Sequence, residues 1–160
     1  MNRLLKVALV ASSSAFCLFY ALQNLVNLGP AYGFVQYVAG MIGHEAYPGH
    51  FGPAVSAPVL IWTMLGIIIT LELAAGIIAG KGAFDLWRAR SADAAAFNVA
   101  KTWGLAGCGL AVFIWFGIFS AVGGAYFQMW QTEAGANALQ GSFQYAMLNG
   151  LVWLIVSRDD

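Results

Sequence analysis

The chain alternates long apolar runs with short segments that hold nearly all of its charge. A hydrocarbon core about 30 Å thick is crossed by about 20 helical residues rising 1.5 Å each. Four runs reach that length, at roughly 4–28, 58–80, 102–124 and 138–157. The second contains a single charge, Glu72, and the third contains none. The fourth is diluted at its start by Gln140, Ser142 and Gln144. Membrane strands would instead alternate polar and apolar residues over about ten positions. The pattern predicts an all-α membrane four-helix bundle, with residues 1–160 as a single domain. The uncharged segment 31–43, AYGFVQYVAGMIG, carries aromatics near both ends and predicts a short helix lying on the membrane interface.

Basic residues give the bundle a direction. Arg3 and Lys6 open the first run, Lys81, Arg88, Arg90 and Lys101 fill the second loop, and Arg158 follows the fourth run. Loops 29–57 and 125–137 have neither Lys nor Arg. By the positive-inside rule both termini and loop 81–101 are expected in the cytoplasm. Trp87, Trp103 and Trp153 then fall near the inner boundary, and Trp62 and Trp130 near the outer one. The N-terminal run looks like a secretory signal at first sight. No small-x-small cleavage site follows it, and it reads as a retained helix.

Composition agrees with this reading. Apolar residues make up 61% and charged residues 9%, against about 25% charged in soluble domains. Seven basic and seven acidic residues cancel, so no basic field invites nucleic acid. Cys17 and Cys108 lie inside apolar runs, where they read as small buried residues. Lipid offers helices no hydrophobic reason to associate, so close contact through small residues must supply it. Gly76 and Gly80, the stretch Ala11–Ala15, and Gly104, Gly107, Gly109 and Gly117 provide such stripes.

Few residues carry candidate chemistry. A carboxylate in hydrocarbon costs several kcal/mol unless it is paired, protonated or hydrated. Glu72 shares a helix face with Gly76 and Gly80 and should point inward. Matching its depth, about 12 Å from a helix end at Gly80, selects Asn149 and the serines Ser12, Ser13 and Ser14 as its partners. Such a group serves either as a proton or ion relay or as a buried polar clasp. Gln23, Asn24 and Asn27 form a second, outer cluster beneath segment 31–43. His44, Glu45 and His50 offer weak metal-ligand chemistry, because Pro48 and Gly49 make their spacing that of a turn. No histidine falls in a membrane run, and no Cys-x-x-Cys, phosphate loop or nucleophile elbow occurs. No cofactor is expected, and since no nucleophile, base and oxyanion donor come together, an enzyme is not the expected reading.

Five local strings, YALQNLVN, FVQYVAGM, LEL, AFNVAK and GGAYFQMWQT, occur in an order that resembles the predicted small integral membrane proteins grouped as domain of unknown function 2165. The resemblance implies a four-helix protein of the bacterial inner membrane and carries no established activity. Its intramembrane acid falls on Glu72, and its amide-bearing start on Asn24 and Asn27. The family commonly has a histidine where this chain has Tyr37, and an acid where it has Ala125.

Two functions are consistent with this sequence. The first is a non-catalytic accessory subunit docked laterally on a larger respiratory or photosynthetic type of membrane complex. The alternative is a small proton- or ion-coupled transporter or channel, a homo-oligomer using Glu72. A metal-dependent membrane enzyme using His44 and His50 is a weaker third. The lipid bilayer is a partner in all of them, and nucleic acid in none.

Overall fold

The computed structural model describes residues 3–160, and among these every regular element is helical. Helix α1 spans Arg3–Val26, α2 Leu28–Ala39, α3 Pro58–Ala89, α4 Ala94–Ala100, α5 Thr102–Val112 and α6 Glu133–Ser157. Between α5 and α6 run a π-helical stretch, Phe113–Tyr126, and one 3-10 turn, Met129–Gln131. Among the described residues three helical segments are long and apolar enough to cross a membrane, Arg3–Val26, Pro58–Ala89 and Ala94–Tyr126; the fourth anticipated run, 138–157, is helical within α6 but is not one of them.

The helix ends have local causes. Pro30 would clash with the carbonyl of Val26, four residues earlier, so α1 stops there and α2 starts on a new axis. The helix anticipated at 31–43 thus begins earlier, at Leu28, and ends at Ala39. Pro58 opens α3 in the first turn, where its missing N–H costs nothing. Asp93 caps α4 by accepting from the Ala96 N–H at 2.8 Å, and Thr132 caps α6 by accepting from Gly135 at 3.2 Å.

The largest departure from expectation is at the far end of α3, which passes Gly80 and continues to Ala89. Glycine there signals tight packing and not a stop. A Cβ on Gly76 would sit 2.6 Å from the Leu18 side chain of α1. On Gly82 it would strike the Gly104 backbone of α5, and on Gly107 the Ala79 backbone of α3. Small residues therefore bring three helices to backbone contact. The Ser14 hydroxyl donates to the Gly76 carbonyl at 2.7 Å across the same seam.

Three core clusters follow one another along the helices. Val10, Ala83, Leu86, Phe97 and Val156 pack at one end. Cys17, Ala75, Ala111, Ile114 and Trp115 fill the middle, and Ala39, Met41, Ile61 and Phe127 close the other end. The first end is also the basic one. Arg3 and Lys6 meet the Asp160 carboxylate at 2.7 and 2.6 Å, and Lys101 donates to the Arg158 carbonyl at 2.7 Å. At the opposite end the 40–57 loop is tied to the 3-10 turn by two hydrogen bonds between Tyr47 and the Gln131 amide, at 2.8 and 3.2 Å.

Candidate functional site

Between the middle and far clusters the helices part around a cavity of about 630 Å³. Its walls come from α1, α2, α3, the π-helical stretch and α6, and they are almost wholly apolar. The π-helix forms one wall. Its i→i+5 pattern shows where the Phe127 N–H donates to the Val122 carbonyl at 2.9 Å and the Ser120 hydroxyl to the Trp115 carbonyl at 3.1 Å. Trp115, Ile118, Phe119 and Val122 of this stretch line the cavity. Such helices are rare and concentrate at functional sites.

Glu72 is the cavity's only charged group among the described residues, and it is 1% exposed. Its partner is Asn24, whose amide donates to Oε2 at 3.0 Å. The anticipated partners lie elsewhere. Ser12 is exposed and donates to the Ala8 carbonyl of its own helix. Ser13 is buried on the same helix, and the Ser14 hydroxyl donates to the Gly76 carbonyl. Asn149 is buried, donates to the Tyr145 carbonyl at 2.9 Å, and leaves its Oδ1 unpartnered. The depth match failed because it measured from Gly80, whereas α3 extends nine residues beyond. In the actual antiparallel register Glu72 meets the far end of α1, where Asn24 stands.

The outer amide cluster is thereby divided. Asn24 turns inward to the acid, while Asn27 bonds back to the Gln23 carbonyl at 2.9 Å and both Gln23 and Asn27 stay exposed. An aromatic group unforeseen from sequence borders the pair. Phe16, Tyr20, Trp115 and Tyr145 pack with ring centroids 4.8–6.0 Å apart, and the two tyrosine hydroxyls share a hydrogen bond. Tyr20 is four residues before Asn24, one helical turn along the same face, and that spacing was a legible signal.

The histidine loop does not build a metal centre. Among the described residues no three His, Cys, Asp or Glu side chains come together, so His44, Glu45 and His50 do not form a three-ligand set. Burial, with His50 as a second cause, holds the His44 imidazole below its usual pKa. His50 turns its Nδ1 to the Gly52 carbonyl. Cys17 and Cys108 are free thiols in the packed interior.

Helices of this length and apolarity, packed through glycine and holding an acid in their interior, define an integral membrane protein of the helical class. The chain belongs to the family of predicted small integral membrane proteins grouped as domain of unknown function 2165, whose sequence profile matches residues 2–158. No curated protein and no solved structure matches it. Neither Tyr37 nor Ala125 lines the cavity.

Proposed function

We propose that this is a non-catalytic four-span protein of the bacterial inner membrane that holds a small apolar molecule in the cavity beside Glu72. The single observation behind it is that cavity: about 630 Å³, mostly apolar walls and a few polar groups, among them Glu72 bonded to Asn24. Small-molecule sites are concave, mostly apolar and furnished with a few convergent polar groups. Helix α6 is the fourth span in this reading. The seven basic residues put both termini and the 90–93 turn in the cytoplasm, so the cavity lies toward the outer leaflet. This is the binding half of a small transporter, with Glu72 as the group that recognises or couples.

Ala138 lines the cavity from α6 and is the point at which to block it. Native mass spectrometry of protein released from its own membrane should find a bound small molecule on the wild type. The same measurement on Ala138→Trp, checked for retained helicity, should find none. Equal loading of both proteins would reject the site.

A second reading, the accessory subunit docked on a larger complex, rests on a different surface. A groove of about 510 Å³ runs between α5 and α6, floored by Gly109, Ala146 and Gly150 and walled by Phe116, Phe143 and Met147. Small residues flanked by large apolar ones suit the seating of a partner helix. Mild-detergent extraction should then give a particle well above the monomer's 17.0 kDa, collapsing in Gly150→Trp.

A further inference from the structure

Glu72 stands in the cavity without a compensating charge. No Lys, Arg or His lines that space among the described residues. Arg3, Lys6 and Lys101 are engaged with Asp160 and the Arg158 carbonyl at the basic end, and Lys81 pairs with Asp85 at 2.5 Å. Only one carboxylate oxygen, Oε2, has a hydrogen-bond partner. A buried carboxyl with no opposite charge takes up a proton, and it is held as a carboxylate only when something supplies that charge.

A bare metal ion is a poor candidate for that role. Hard divalent cations take about six or more oxygen ligands, and the cavity offers one carboxylate, the Asn24 and Asn137 amides and a few hydroxyls, of which Tyr20 and Tyr145 are bonded to each other. What the cavity does offer is volume and aromatic surface. Tyr20, Phe34, Trp115, Phe119, Phe127 and Tyr145 all line it. Ring faces attract organic ammonium groups, most strongly when both partners are out of water.

From this pairing of a lone carboxylate with aromatic walls we infer that the ligand is a protonated amine with an apolar, ring-bearing body. Its N–H donates to Glu72 Oε1, the Asn24 amide keeps Oε2, and the body lies against the π-helical wall at Trp115 and Phe119. The inference rests on the binding reading above and narrows it to one ligand class.

The test uses the full chain in zwitterionic lipid nanodiscs, with empty nanodiscs as the partition control. The probes are dibenzylamine, protonated at pH 7, and dibenzyl ether, which matches its shape and stays neutral. Equilibrium dialysis should show the wild type binding the amine at least tenfold more tightly than the ether. Glu72→Gln keeps the side chain's size and should bring the amine down to the ether's affinity, with the ether unchanged. Ala138→Trp should weaken both. Equal wild-type affinity for the two probes, or undiminished amine binding by Glu72→Gln, overturns the ammonium assignment and leaves the cavity a neutral apolar site. If neither probe exceeds the empty-nanodisc level, the assignment and the binding reading fall together.

Discussion

Asn24 and Asn149 are both amides on apolar helices, and their hydrogen bonds set them apart. Asn24 satisfies a buried acid, so removing it strands Glu72. Asn149 bonds only within its own helix and leaves a buried oxygen unpartnered. Stranding a buried polar group costs about 1–3 kcal/mol, more for a charge, while replacing an unsatisfied one with an apolar isostere is near neutral or stabilising. Thermal unfolding in detergent should therefore separate two identical substitutions. Asn24→Leu should lose at least that amount, and Asn149→Leu should match or exceed the wild type. A larger loss at Asn149 would mean that it, and not Asn24, supports the interior.

At the scale of elements, glycines that look alike in sequence differ by what faces them. Gly107 has the Ala79 backbone directly against it, whereas nothing lies within 4 Å of a Cβ on Gly66. Overpacking a tight contact costs about 1–3 kcal/mol and more when backbones must separate. Gly107→Leu should thus lower the melting temperature sharply or prevent folding, while Gly66→Leu should leave it within a degree or two. A tolerated Gly107→Leu would place the helices further apart than drawn here. The contrast also marks what the sequence could reveal. Apolar run length exposed three of the four anticipated segments as helices able to cross a membrane, and basic residues foretold which helix ends gather together, because both signals are local. The end of α3 was misjudged because the apolar run gives way to charge at Lys81, whereas the helix itself continues, with Gly80 against Ser14 and Gly82 against Gly104. That error moved Glu72 toward the wrong partners. The π-helix left no trace in periodicity, since Phe113–Tyr126 is apolar on every face.

For the whole molecule, the basic end acts as a clasp joining the start of α1, the α4–α5 junction and the end of α6. Burial would raise the Asp160 carboxyl, but hydrogen bonds from Lys6 and Arg3, with the charge of Lys101 nearby, hold it below the usual aspartate range. A carboxyl depressed in the folded state stabilises fully above its ordinary value of 3.8 and loses that contribution as pH falls through the lowered one. Melting curves should accordingly show Asp160→Asn less stable than wild type at pH 7, with the difference shrinking toward zero in strong acid. A gap that widens on acidification would contradict the clasp. Direction across the membrane is open to a separate check. The native thiols are buried, so single cysteines at Ala46 and Ala92 can be labelled cleanly in intact cells. Labelling from outside is expected at Ala46 alone, and labelling at Ala92 would reverse the proposed orientation.

The 32 residues of α3 have one more consequence. At 1.5 Å per residue they make a rod of about 48 Å, against a hydrocarbon thickness of about 30 Å. Even the stretch before Lys81 measures about 35 Å, so the rod leans or thickens the lipid around it, and the part carrying Lys81, Asp85 and Arg88 extends toward water. The packing of α3 against α1 and α5 limits how far it can lean, and lipid thickness biases it within that limit. Bilayer thickness is thus a physical variable coupled to the helix that bears Glu72.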